Sequence, residues 1–260
     1  MGLVGAVLAK MGFTGSADVF GPKGFFDTFL FGKAEPHLLV DNFGAPFRMV
    51  DPGVGFKKHP SNYFTHRPID AALMLREQHN IKPEQIAKVD VVFPRFEYVN
   101  RPQPETGLDG KFSVQYTTTV ALLDGEITVD SFNNERRFAP DVEALLQKIT
   151  LHLDDNIPND FDRMHIDMKV TLTDGRVLTQ RVDKLSGWVG SPLTREQRMR
   201  KFHSCAKRVL ARETADRIVA IVENLEQQPS VGELMTLVRD RKSTRLNSSH
   251  IPLSRMPSSA

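Results

Sequence analysis

A run of basic and small polar residues, Lys-Lys-His-Pro-Ser-Asn, occupies positions 57–62, just before a helix predicted to begin near Arg67. The N-terminus of a helix carries partial positive charge, and two lysines beside it form a natural receptor for carboxylates. We therefore treat the 57–62 loop as a candidate anion site. The alternative is that its paired lysines are simply solvated. His66, which follows this loop, is predicted to cap or pack rather than to catalyse.

A second candidate segment, FEYVNRP at 96–102, leaves a predicted strand through Pro94 and enters a loop. Tyr98 offers a phenolic proton donor and Arg101 a permanent cation, both outside the hydrogen-bonded ladder of the sheet. Loops that leave a rigid scaffold often carry functional residues. The residues themselves support equally well a second interpretation, in which Tyr98 fills the edge of the core.

Several familiar catalytic and ligand-binding motifs are missing from the sequence. It contains neither HExxH nor GxSxG, and its glycine pairs at 12/15 and 21/24 match no phosphate-binding spacing, so we interpret them as turns. The eight histidines show no metal-ligand spacing, and the only cysteine is Cys205. We therefore predict no metal site and no disulfide, and we interpret Cys205 as a packing residue.

The formal charge of +2 comes from the end of the chain. The segment from residue 241 onward contains four basic residues and no acid, and without it the chain has 30 basic and 32 acidic residues. A body with this mildly acidic balance gives no reason to expect nucleic-acid or membrane binding. There is no apolar run of membrane-spanning length and no signal-peptide pattern. With a single cysteine, the sequence predicts a reducing, cytoplasmic setting.

The middle of the chain, residues 53–186, predicts a compact α+β domain. In some segments of this region the apolar residues recur at helical spacing, and in others apolar and polar residues alternate as in a strand. Asp174-Gly175 lies between two of the alternating segments and predicts a hairpin turn. The predicted elements are helices over 68–78, 112–123 and 141–148, strands over 89–93 and 149–153, and a hairpin of 166–172 with 177–182.

The ends of the chain predict a different organisation. Residues 187–240 should form helices, the first begun by a capping box of Thr194 and Gln197 and the last covering about 231–238. Residues 1–52 contain two short apolar helices, near 3–11 and 25–31, whose exposed surface needs a partner. Residues 241–260 are rich in serine without periodicity, and we predict a disordered and artefactual tail.

The sequence resembles a known family, the MmgE/PrpD lyases. The resemblance covers about residues 2–239, in the order expected for the family. It rests on GLVGAVLAKMGFTG, FKKHPSNYFTHRPIDAAL, FEYVNRPQP, KFSVQYTTTVALLDGEIT, the Asp-Gly hairpin and PLTREQRMRKFHSCA. The YVNRP and LLDGEIT stretches are most similar to the cis-aconitate decarboxylase branch.

The resemblance implies a large all-helical domain split around a smaller α+β lid, in a homodimer without metal or organic cofactor. It also implies that the first half of the family's enzymes, which carries their catalytic histidines and an aspartate, does not form part of this chain. Residues 1–52 would then be a remnant of the helical domain, 53–186 the lid, and 187–240 the C-terminal helices. A fragment of this kind is expected to be inactive alone.

By carry-over from the family, Lys57 matches the active-site lysine of its Lys-x-x-Pro loop, and Tyr98 matches the active-site tyrosine of the decarboxylase branch. Ser61, Asn62 and Arg101 are the expected substrate-binding residues. Asn62 is a departure, because the decarboxylase branch tends to have histidine there, and an amide cannot shuttle a proton near neutral pH.

The expected function is therefore a lyase acting on a di- or tricarboxylate, in the manner of cis-aconitate decarboxylase. The alternatives are a hydro-lyase similar to 2-methylcitrate dehydratase, and a non-catalytic fragment that only binds a partner domain. Lys57 would stabilise developing negative charge, and Tyr98 would donate or orient a proton.

Overall fold

The computed structural model describes residues 2–31 and 33–239, so the predicted tail at 241–260 lies outside the described residues. The chain divides into two compact units, Met1–Val54 and Gly55–Ala260. Across the described ranges, no helix combines the length and the apolar character that a bilayer crossing demands.

The first unit contains α1 (Gly2–Lys10), α2 (Phe25–Leu30) and a 3-10 helix (Pro36–Leu39). The two helices predicted from the apolar spacing are therefore confirmed. These three described helices bury no side chain. Local contacts come from phenylalanines, with the ring centroids of Phe20 and Phe26 5.1 Å apart.

The second unit contains the remaining helices and all four described strands. Its α-helices are α3 (His66–His79), α4 (Gly107–Gly110), α5 (Val114–Asp124), α6 (Asn134–Arg137), α7 (Pro140–Leu146), α8 (Arg195–Ala206), α9 (Arg212–Glu223) and α10 (Gly232–Leu237). The strands are β1 (Ile86–Pro94), β2 (Ile149–Asp154), β3 (Ile166–Leu172) and β4 (Val177–Val182). The α+β class and the predicted order of elements in this region are confirmed.

The four strands form one mixed sheet in the order β2-β1-β3-β4. β1 runs parallel to β2, with Val89 opposite Ile149, and antiparallel to β3. Parallel neighbours need a long crossover, and the segment that carries α4 to α7 supplies it. β3 and β4 form the predicted hairpin, in which Gly175 has the positive φ of 86° that favours glycine.

Helix α3 lies in the core, where it packs against α5, β3 and β4. Its apolar residues Ile69 and Leu75 are fully buried. The buried guanidinium of Arg67 donates hydrogen bonds to the carbonyl oxygens of Phe161 (2.7 Å) and Asp183 (3.0 Å). Because carbonyl groups from two other segments hold Arg67, the first turn of α3 has a fixed position.

Two helices of a single turn, α4 and α6, were not predicted. Each begins at a side chain that accepts a hydrogen bond from the backbone, Thr106 from Asp109 N (3.0 Å) and Asn133 from Arg136 N (2.7 Å). Four residues are too few to show an apolar period, so capping is their only local signal. By contrast, the predicted capping box of Thr194 and Gln197 is present at the start of α8.

Candidate active site

The 57–62 loop reaches the N-terminus of α3 through a short 3-10 helix, Tyr63–Thr65. Asn62 caps this turn, because its side-chain oxygen accepts a hydrogen bond from Phe64 N (3.0 Å). Ser61 is buried, and its hydroxyl accepts a hydrogen bond from the Thr65 hydroxyl (2.8 Å). Ser61 and Asn62, two of the three predicted substrate-binding residues, therefore contribute to the shape of the loop.

A buried carboxylate, Asp70, joins this loop to the first turns of α3. Asp70 Oδ1 lies 2.7 Å from Lys58 Nζ and 2.9 Å from His59 Nε2. Burial alone would raise the pKa of Asp70, but the hydrogen bond from His59 and the charge of Lys58 bring it down to about 2. Asp70 is thus an anion that orients one lysine and one imidazole of the loop.

The two histidines near the start of α3 favour their neutral forms. Burial lowers the pKa of His59, outweighing the hydrogen bond and charge of Asp70, and the positive charges of Lys58 and Lys201 act in the same direction as burial. Burial and the neighbouring His59 lower the pKa of His66 to about 3. Neither buried ring nitrogen of His66 has a hydrogen-bond partner among the described residues, so burial dominates its pKa.

Lys57 lies on the exposed side of the loop, with its ammonium nitrogen 5.2 Å from the centroid of the Tyr63 ring. Its backbone carbonyl accepts a hydrogen bond from Lys201 of α8. Partial burial lowers the pKa of Lys201, with Cys205 acting against this effect and the charge of Lys57 adding to it. We call Lys57, Lys58, His59, His66, Asp70 and Lys201 the α3 cluster; it holds three lysines and one carboxylate.

The second predicted segment, at 96–102, is held by stacking. The Tyr98 side chain is half exposed, and its ring packs against Phe112 at 5.6 Å between centroids. The Arg101 guanidinium lies over the Tyr98 ring, 4.9 Å from its centroid, and forms an ion pair with Asp109. Asp109 therefore neutralises much of the charge that Arg101 would offer to a substrate carboxylate.

Backbone and aromatic contacts join the two predicted segments. Asn62 N donates a hydrogen bond to the Lys111 carbonyl (3.0 Å), and Ser113 Oγ donates one to the Arg101 carbonyl (2.5 Å). The rings of Phe64 and Phe96 stack with centroids 4.1 Å apart. The loop that carries Asn62 and the loop that carries Tyr98 are thus neighbours, although 36 positions separate these two residues in the sequence.

A cavity of about 1000 Å³ opens beside the α3 cluster. Lys58, His59, Asp70 and Lys201 line it, whereas the five predicted site residues do not. Cys205 also lines this cavity and is exposed, so its interpretation as a packing residue was wrong. The neighbouring Ala206 occupies the buried position at this end of α8.

Sequence reasoning missed the roles of His59, Asp70 and Lys201 in this arrangement. His59 lies inside the segment predicted to bind anions, so the sequence placed it in the candidate loop. The sequence did not indicate that Asp70 is its partner. The charged Asp70 inside an otherwise apolar stretch of α3 was the one local signal, because a buried carboxylate requires partners. For Lys201, the sequence holds no signal of its contact with Lys57.

Within residues 2–31 and 33–239, no three His, Cys, Asp or Glu side chains are grouped in a way that could hold a metal ion. The side chains of the α3 cluster can stabilise negative charge through lysine and transfer a proton through imidazole.

The buried state of His66 leads to a prediction about stability and pH. Because the folded state holds His66 neutral down to about pH 3, the unfolded chain binds a proton first as the pH falls below 6.5. The free energy of unfolding should therefore decrease between about pH 6.5 and pH 3, by up to roughly 1.4 kcal/mol per pH unit. Urea unfolding at a series of pH values would measure this slope.

In His66→Phe this part of the slope should disappear, while the loss of stability due to Asp70, between about pH 4 and pH 2, should remain. His79→Gln is the matched control, because His79 is exposed at the other end of the same helix. An unchanged slope in His66→Phe would contradict the prediction.

Comparison with known proteins relates this fold to a family. The model of the MmgE/PrpD C-terminal domain matches residues 59–227. Cis-aconitate decarboxylase from Mus musculus is 31% identical over 246 residues, which are 92% of this chain and 50% of that protein. The Homo sapiens protein of the same name is 32% identical over 244 residues, again 92% and 50%.

A cis-aconitate decarboxylase-like protein from Aspergillus oryzae is 24% identical over 259 residues, 91% of this chain and 52% of that protein. The chain thus spans about half the length of the curated relatives it matches. The family model covers most of the second unit, including His59, Asp70, all four strands and helices α8 and α9. The chain belongs to the MmgE/PrpD family.

Proposed function

We propose that this chain forms part of a lyase that acts on a di- or tricarboxylate, with cis-aconitate as the leading candidate substrate. The observation that carries the proposal is the convergence of Lys57, Lys58 and Lys201 at the N-terminal end of α3, where Lys58 and Lys201 line an open cavity. Three cations and a single carboxylate, which pairs with Lys58, leave a positive excess that suits a polyanionic ligand. The similarity to cis-aconitate decarboxylases over 92% of the chain supports the choice of substrate.

In this proposal Lys57 stabilises the negative charge that develops as a carboxylate leaves. Its ammonium is unpaired by any carboxylate in the described residues and lies against the Tyr63 ring, so it is free to face a substrate. Tyr98 donates or orients a proton, and Ser61, Asn62 and Arg101 assist binding. The proposal includes the homodimer, the cytoplasmic setting and the lack of a cofactor that the sequence and the family resemblance predict.

A hydro-lyase similar to 2-methylcitrate dehydratase is the second candidate. The observation that favours it is Asn62, which stands where the decarboxylase branch tends to have histidine and which caps the 3-10 helix. Both reactions need a receptor for carboxylates, but dehydration also needs an acid for the departing hydroxyl group. A non-catalytic protein that only binds a partner domain would need neither the carboxylate receptor nor the acid.

The test is turnover by the protein that the longest open reading frame containing this sequence encodes. We expect this protein to release carbon dioxide from cis-aconitate, with the product identified by proton NMR. Loss of water from 2-methylcitrate without decarboxylation would support the second candidate. No reaction with either compound, by a folded protein at micromolar concentration, would contradict both candidates.

The 260-residue chain alone is the companion sample. We expect no turnover from it, because it spans half the length of the decarboxylases it resembles. Turnover above background by the purified chain would show that these residues contain a complete site.

A further inference from the structure

His59 combines three features that suit a proton-transferring group. It lines the cavity, its Nε2 nitrogen lies 2.9 Å from a buried carboxylate, and it belongs to the cationic loop of the proposed site. Since Asp70 accepts the hydrogen on Nε2, the neutral ring carries its lone pair on Nδ1. Asp70 thus selects the tautomer and holds the ring in place, as the carboxylate does in a catalytic triad.

His59 can also supply the proton-transferring group that Asn62, in place of histidine, cannot supply. The amide of Asn62 is engaged in capping the 3-10 helix and cannot exchange a proton near neutral pH. An imidazole is present in the same loop three positions earlier, on the far side of Pro60. The loop therefore keeps a group that can transfer a proton, at a different position.

The charges around His59 make its protonation depend on the ligand. Lys58 and Lys201 disfavour a proton on the ring, Asp70 favours one, and His66 lies against it with ring centroids 5.2 Å apart. Burial keeps the pKa of His59 low in the free protein. A polycarboxylate in the cavity would supply negative charge opposite the two lysines and so raise the affinity of His59 for a proton.

We propose that His59, oriented by Asp70, is the residue that delivers the proton in the reaction of the proposed lyase, which leaves Tyr98 the orienting role of its two alternatives. This role rests on the proposed function. In a decarboxylation, the bond between the substrate carbon and the departing carboxylate breaks, and its electron pair stays on the carbon. A new carbon–hydrogen bond forms with the proton from His59 Nδ1, and carbon dioxide leaves. The neutral imidazole then regains a proton from water.

Binding without reaction provides the first test, and it uses the wild-type protein from the full open reading frame. Tricarballylate, a saturated tricarboxylate that has neither the double bond of cis-aconitate nor a hydroxyl group to lose, is the probe. Nitrogen-15 NMR should show the free His59 ring protonated on Nε2, and saturating tricarballylate should raise its pKa by at least one unit. Assignment comes from the resonance missing in His59→Gln. A His59 pKa that tricarballylate leaves unchanged would overturn the proposal.

Kinetics provide the second test. His59→Gln should lower kcat by about 10²- to 10³-fold with little change in KM, since positioned acid–base groups contribute about that much. The limb of the pH–rate profile that the titration of His59 produces should also disappear. Asp70 is a positioning residue, so Asp70→Asn should shift this limb rather than remove it. His79→Gln, at the exposed end of α3, should keep wild-type turnover.

The double variant His59→Gln/Asn62→His returns the imidazole to the position typical of the decarboxylase branch. Recovery of at least tenfold in kcat over His59→Gln would support a proton-transferring role and exclude a merely structural one. If the wild-type enzyme is active and folded His59→Gln keeps its kcat within threefold, the proposal for His59 fails alone. If the wild-type enzyme converts no di- or tricarboxylate, the proposed function fails and the role of His59 fails with it.

Discussion

Replacing Lys57 with alanine in the active enzyme should lower turnover by about 10²- to 10³-fold without unfolding the protein. Removal of one preorganised charge-stabilising group typically has an effect of this size. The variant should fold, because the Lys57 side chain is exposed and its structural hydrogen bond is made by its backbone carbonyl, which alanine keeps. Steady-state kinetics with cis-aconitate, alongside circular dichroism, would measure both effects.

Lys207→Ala is the matched control for this experiment, because it removes an exposed lysine at the C-terminal end of α8 in the same unit. It should keep turnover within about twofold of wild type. Equal losses in the two variants would mean that Lys57 acts only through the overall charge of the protein. Wild-type turnover in Lys57→Ala would remove this residue from the proposed site.

Tyr98 provides the contrast to Lys57, since Tyr98→Phe removes a hydroxyl and keeps the ring. The ring contacts with Arg101 and Phe112 should survive, so stability should change little. If the hydroxyl donates or orients a proton, turnover should still fall, though less than in Lys57→Ala, where a full charge is lost. Wild-type turnover in Tyr98→Phe, together with unfolding of Tyr98→Ala, would show that Tyr98 only fills the edge of the core.

Gly187→Ala should destabilise the second unit by about 2–5 kcal/mol, the sum of two effects. Gly187 has a φ of 85°, which costs an L-residue about 1–2 kcal/mol. A Cβ atom there would lie 1.9 Å from the Phe56 carbonyl oxygen, so the backbone would have to shift, at a further cost of about 1–3 kcal/mol. Gly187 O also accepts a hydrogen bond from Phe56 N (2.6 Å), so this shift would displace the residue next to Lys57.

Gly175→Ala separates the two contributions. Gly175 has nearly the same φ, 86°, but a Cβ atom there would meet no atom within 4 Å. Its variant should lose only the conformational part, about 1–2 kcal/mol. Urea unfolding of both variants would measure the difference. If the two variants lose equal free energy of unfolding, the loop before α3 relieves the clash by shifting at no energetic cost. Gly187 would then not be needed for the position of Lys57.

Much of the second unit follows from local sequence. The Asp-Gly turn lies between two alternating runs, and β3 and β4 form the hairpin that this pattern predicts. The Thr194 and Gln197 side chains begin α8 by hydrogen bonds within four residues. Signals of this kind act over a few residues, so they can be recognised in the sequence alone. Helices α4 and α6 escaped prediction because one turn shows no period.

For the candidate site, the sequence by itself determined that two lysines and a histidine precede α3, and that Tyr98 leaves β1 in a loop. The tertiary structure decided which groups act together. It paired His59 with Asp70, brought Lys201 to the Lys57 carbonyl, and neutralised Arg101 with Asp109.

The physical reason lies in the range of the interactions. Turn and capping hydrogen bonds join residues within a few positions, so their geometry is set by local backbone preferences. The contact between Lys57 and Lys201 joins residues 144 positions apart, and only the packing of α8 near the loop creates it. Burial of Asp70 and His66, which sets their pKa values, likewise exists only after α3 is enclosed by the sheet and α5.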